Sequence, residues 1–66
     1  MKVLLNGREE DVPTSVTIEQ LLNSKKITPG AVIVVVNSEV VKRELWPDFV
    51  IKEQDQVEVI RIVGGG

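Results

Sequence analysis

Within the 66 residues, one short stretch repeats its apolar side chains at helical spacing. Ile18, Leu21 and Leu22 fall at i, i+3 and i+4, which puts them on one face of a helix. Thr17-Ile18-Glu19-Gln20 has the form of a capping box, with Thr17 as N-cap and Gln20 at the third helical position. Val16 and Leu21 are spaced to staple the chain's entry. Lys25 and Lys26 follow where the negative end of the helix dipole favours cations, and Thr28-Pro29-Gly30 reads as the stop. The result is one helix of about nine residues, and an element of that size covers a single face of a sheet. The rest of the chain must then be layered on one side and open on the other.

The remainder reads as extended. Asn6-Gly7 joins Met1–Asn6 to Arg8–Val12 with the strongest short hairpin signal, because a type I′ turn needs positive φ at both central positions. A two-residue loop sets the register: Leu5 faces Arg8, Leu4 faces Glu9, Val3 faces Glu10 and Lys2 faces Asp11. Val3, Leu5 and Val12 share a face, while Lys2 and Asp11 make an opposite-charge pair on the other. Arg8-Glu9-Glu10-Asp11 is too charged for a central strand and reads as an edge blunted against aggregation. Pro13 closes the hairpin. The apolar run Ala31–Val36 wants cover on both faces, and Asn37-Ser38-Glu39 turns it into a short strand, Val40-Val41. Arg43–Gln54 is irregular and holds the chain's two aromatic residues, Trp46 and Phe49, around Pro47. They read as a satellite cluster beneath this loop. Asp55-Gln56 turns into the last strand, Val57–Val63.

These elements carry more apolar side chains than one covered face can hold. Leu4, alternate members of Val32–Val36, and either Val57 with Val59 or Ile60 with Ile62 must point away from the helix. Both phases of the last strand are apolar, so its parity stays open. An exposed apolar patch of this kind marks a protein partner. Leu4, Ile60 and Ile62 are the docking candidates, with Arg61 as a guanidinium able to pair with a partner carboxylate.

The last strand runs into Gly64-Gly65-Gly66. Glycine is costly to order, so residues 64–66 are expected to form a flexible tail on a domain spanning residues 1–63. Three residues reach at most about 10 Å, and with no side chain they suit a narrow tunnel in another protein. The reactive group at the tip is the α-carboxylate of Gly66. The chain has no cysteine and no histidine, which excludes a disulfide framework, a zinc finger, a persulfide-carrying thiol and any triad built on imidazole or thiol. A net charge of −2 with scattered cations leaves no footprint for nucleic acid or anionic lipid. No apolar stretch suits a membrane span or a leader segment, and a soluble cytoplasmic protein is expected.

Taken as a set, Leu5-Asn6-Gly7, Val36-Asn37 with Val40-Val41 and Arg43, Trp46, and Asp55-Gln56-Val57-Glu58-Val59 through Val63-Gly64-Gly65-Gly66 resemble the sulfur carrier proteins of thiamine biosynthesis, the ThiS family. Two positions depart from that pattern: Lys42 stands where proline is expected and Gln54 where glycine is expected. The resemblance implies an α+β, ubiquitin-like β-grasp fold, a mixed sheet of four to five strands with one main helix on one face. It also implies a cosubstrate with no catalytic residue, metal or bound cofactor of its own. A ubiquitin-activating-like adenylyltransferase would use ATP to adenylate Gly66, a cysteine-desulfurase relay would supply sulfur, and thiazole synthase would consume the resulting thiocarboxylate. Gly64 and Gly65 would thread the partner's active site. The small subunit of molybdopterin synthase, a conjugated ubiquitin-like modifier and a β-grasp regulatory or RNA-binding module are the alternatives.

Overall fold

A computed structural model describes residues 1–62. Its elements in order are β1 (Lys2–Leu5), β2 (Arg8–Asp11), α1 (Ile18–Ser24), a 3₁₀ turn (Pro29–Ala31), β3 (Val32–Val36), β4 (Glu39–Val41), a 3₁₀ turn (Arg43–Leu45) and β5 (Gln56–Arg61). The five strands form one sheet in the order β2-β1-β5-β3-β4, with β1 and β5 parallel and every other neighbour antiparallel. This is the β-grasp arrangement, and its central strand is the last of those among the described residues.

Both hairpins follow from local chemistry. Asn6 and Gly7 take φ of 51° and 82°, and the register places Lys2, Val3, Leu4 and Leu5 opposite Asp11, Glu10, Glu9 and Arg8 as the two-residue loop requires. Lys2 Nζ donates to Asp11 at 3.0 Å. That bond raises the lysine's pKa above 10.5, so the pair's contribution is complete below that pH and fades as pH climbs through the raised value. β2 is an edge strand, as its charges imply. Asn37 and Ser38 repeat the positive-φ turn at 50° and 71°, so the second hairpin turns on two residues and β4 already begins at Glu39.

The helix starts as expected and ends early. Thr17 Oγ accepts from the Gln20 N–H, and Gln20 Oε1 accepts from the Thr17 N–H, which completes the capping box. Ile18, Leu21 and Leu22 are buried. The helix nevertheless stops at Ser24, seven residues in all, well before Pro29. Lys26 enters the left-handed region at φ 57°, its N–H donates to the Asn23 carbonyl, and the Ile27 N–H donates to the Leu22 carbonyl. This is a Schellman ending made without the usual glycine. Pro29 begins a separate 3₁₀ turn, so strand β3 starts at Val32 and excludes Ala31.

The aromatic loop does not form a satellite cluster. Trp46 is 3% exposed and belongs to the single core with Ile18, Leu22, Val34, Ile51 and Val57, while Phe49 packs against it half-buried. The helix itself pulls the loop in. An α-helix starts with four N–H groups lacking intrahelical partners. Here the Thr17 N–H donates to Gln20 Oε1, the Ile18 N–H to the Phe49 carbonyl, the Glu19 N–H to the Trp46 carbonyl, and the Gln20 N–H to Thr17 Oγ. Trp46 Nε1 donates to the Val41 carbonyl at 2.9 Å and so fastens the loop to β4.

The two departures from the family pattern fit the conformation that the expected residues would adopt. Gln54 has φ of 72°, the left-handed region where glycine is unstrained. Lys42 has φ −61° and ψ 142°, values that proline takes without strain, and the preceding Val41 is extended as a pre-proline residue should be. Gln54→Gly and Lys26→Gly should each raise stability by about 0.5–1 kcal/mol by relieving positive φ. Lys42→Pro should add a similar amount, about 0.5–1 kcal/mol, by restricting the unfolded chain. Thermal melts of the three single variants test this, with an upward shift of several degrees expected for each.

Candidate functional site

β5 dominates the site because it passes through the middle of the sheet and leads towards residues 64–66. It pairs with β3 over five positions, from Val36↔Val57 to Val32↔Arg61, and with β1 at Leu4↔Gln56 and Leu5↔Val57. The β3 register settles its phase. Val57 and Val59 lie opposite the inward Val36 and Val34, and Val57 is 1% exposed. Ile60 lies opposite Ile33 on the open face, at 47% and 40% exposure.

The open face therefore holds Ile33, Ile60, the half-buried Leu4 and Val35, and Val40 opposite Val35. Ile62, just past the strand and held by its N–H to the Ala31 carbonyl, is 49% exposed. The structure brings Ile33 to Ile60, a pairing that strand phase alone left open. Leu4 lines a depression on the same face with Gln56 and Glu58. Arg61 does not join them. Its position opposite Val32 turns it to the helix side of the sheet, where it borders a groove with Ile27 and Val59. Gly64, Gly65 and Gly66 lie outside the described residues.

Two asparagines hold β5 in place, and sequence reasoning credited them only with making turns. At each hairpin the neighbouring strand ends while β5 still needs a hydrogen-bond partner. Asn37 Oδ1 accepts from the Gln56 N–H at 2.9 Å, and Asn37 Nδ2 donates to Asp55. Asn6 Oδ1 accepts from the Val59 N–H at 2.8 Å, beyond the end of β1. Each carboxamide replaces a backbone carbonyl that its own residue has turned away into the hairpin. The legible signal was asparagine in the first position of both turns, since glycine there would supply the φ and no acceptor.

Comparison with known proteins decides the family. The ThiS family model matches residues 3–66, nearly the whole chain. The chain belongs to the ThiS family. The ThiS protein of Geobacter metallireducens, a thiamine biosynthesis protein, superposes with a TM-score of 0.88 at 32% identity, with both chains fully covered. The sulfur carrier protein ThiS of Escherichia coli is 23% identical over the full length of both. A thiazole synthase of Magnetococcus marinus is 38% identical over all 66 residues, and one of Paramagnetospirillum magneticum is 30% identical. The chain spans only 20% of the length of either synthase, so those proteins hold a ThiS-like region within a much longer polypeptide.

The strand phase and the asparagine contacts can each be tested. Ile60→Glu should leave the melting temperature nearly unchanged, whereas Val57→Glu should unfold the chain by burying an unpaired carboxylate. Asn6→Gly keeps the backbone conformation and removes the acceptor. It should cost about 1 kcal/mol and speed hydrogen exchange at the Val59 amide, and Asn6→Asp should restore most of the protection.

Proposed function

We propose that the chain carries sulfur for thiazole formation in thiamine biosynthesis, as a thiocarboxylate on Gly66. The observation that carries this reading is the reach of the family match, which extends through residue 66 and so includes the three glycines. The full-length likeness to the Escherichia coli sulfur carrier supports it. So does the ThiS-like region inside two thiazole synthases, which favours a synthase as the protein that takes the sulfur.

The chemistry needs a free carboxylate at Gly66, and a polypeptide continuing past that residue would first require a cut there. A carboxylate is a poor electrophile. Attack of its oxygen on the α-phosphorus of ATP, with loss of pyrophosphate, gives an acyl adenylate whose leaving group is AMP. The outer sulfur of a persulfide on a cysteine-desulfurase relay displaces AMP to give an acyl disulfide. A second relay thiol then cleaves the S–S bond, leaving the thiocarboxylate on Gly66 and a disulfide on the relay. The activating enzyme, a ubiquitin-activating-like adenylyltransferase, provides the catalytic groups, and this chain is its cosubstrate. The lack of cysteine suits that role, because no internal thiol competes for the activated acyl group. The apolar pair Ile33 and Ile60, beside the end of β5, is the docking surface we assign to these partners.

Incubation with ATP, the activating enzyme and a sulfur donor should raise the intact mass by the difference between sulfur and oxygen. Thiocarboxylate-reactive reagents should then label the C-terminus. One residue added after Gly66, or a β-branched residue in place of Gly65, should abolish ATP–pyrophosphate exchange while leaving the fold intact. Isopeptide-linked conjugates in place of the mass shift would assign the chain to protein modification.

A further inference from the structure

The early end of the helix leaves part of the inner sheet face uncovered. Beyond the Schellman turn at Lys26, Ile27 packs against the core beside the last rungs of β5 and the first of β3. The gap is a groove of about 280 Å³ walled by Leu5, Ile27, Val32 and Val59. It continues past Ile27 and Val32 into a second depression bordered by Lys25 and Lys26, and Arg61 borders both. Leu5, Ile27 and Val59 remain half-buried, so the floor is apolar and accessible.

The rim is cationic on a protein whose net charge is −2. Among the described residues the ion pairs are Lys2–Asp11 and Lys25–Glu10, so Lys26 and Arg61 meet no carboxylate there. The helix end offers Lys26 the partial negative charge of its dipole and no carboxylate, and the Leu22 and Asn23 carbonyls there accept from the backbone N–H groups of Ile27 and Lys26. Location completes the argument. Four residues follow Ile62 to the end of the family match at residue 66, and they can span at most about 14 Å. A protein whose active site takes Gly66 must therefore bring its surface against the end of β5. That end is flanked by the apolar open face on one side and this groove on the other.

We propose that the groove receives an acidic segment, bearing apolar side chains between its carboxylates, from the adenylating enzyme that takes the tail; this rests on the carrier reading given above. The apolar side chains cover Ile27 and Val59, and the carboxylates pair with Lys26 and Arg61. Docking is then two-sided, with area from the open face and orientation from the groove. Charged pairs at an interface rim act mainly on association rate and salt dependence, which gives the groove a signature of its own.

The test is a titration of the full chain with its cognate adenylating enzyme across a range of salt concentrations. The Lys26→Gln, Arg61→Gln double variant should bind about tenfold more weakly at low salt and lose most of its salt dependence. The Ile60→Ser variant, which removes apolar area without adding charge, should bind more weakly while keeping the wild-type salt slope. Lys42→Glu with Lys52→Glu, which alters charge away from the groove, should bind nearly as wild type. Thermal melts verify that each variant is folded. Wild-type affinity and slope in the double variant would overturn the proposal. Equal weakening by the distant charge changes would do so too, as would no binding by the wild-type chain. Binding that behaves as predicted with no thiocarboxylate formed would leave the groove standing and overturn the carrier reading.

Discussion

The structure depends on the hydrogen-bond ladder on either side of β5. This strand is flanked by β1 running parallel and β3 running antiparallel, so both sheet halves meet on it and nowhere else. Its neighbours are not long enough to satisfy it. β1 ends opposite Val57 and β3 ends opposite the same residue from the other direction. The carboxamides of Asn6 and Asn37 supply the missing acceptors at Val59 and Gln56. Each turn residue therefore does two jobs, reversing its own hairpin and extending the central strand's ladder by one rung.

The other half of the fold is organised by the helix N-terminus. A seven-residue helix gains little from propensity and owes its stability to packing. Its first N–H groups draw the carbonyls of Phe49 and Trp46 to it, and the Trp46 indole drops into the core between helix and sheet. The long segment between β4 and β5 is thus a lid over the core, held by backbone hydrogen bonds at one end and by the indole N–H at the other.

Much of this was legible in the residues, and the exceptions have physical causes. Asn6-Gly7 carried the whole register of the first hairpin, and Thr17 with Gln20 carried the helix start, because turns and caps are local. The helix end was misread because Lys26 adopts a glycine's conformation, and no composition signal announces that. The segment of Trp46 and Phe49 was misplaced because the partners of their carbonyls, the Glu19 and Ile18 N–H groups, lie far away in sequence. The phase of β5 was illegible because Val57, Val59, Ile60 and Ile62 are all apolar, so only the pairing with β3 could choose between faces. The exposed patch was therefore expected with its members uncertain, and Arg61 was grouped with Ile60, which faces the opposite way.

The position of β5 also governs when the molecule can come into being. Leu4 pairs with Gln56, and Val36 with Val57, so the strand at the middle of the sheet is the last to be synthesised. Before it arrives, no strand joins the two hairpins into one sheet, and the core lacks Val57. Closing such distant pairs is slow, since the loop entropy is lost before the contacts form. A growing chain therefore shows neither the paired isoleucines nor a properly aimed end until the whole sheet has closed. On the docking proposed above, recognition of the finished sheet is in effect a test of completeness, one that nascent or truncated chains would fail.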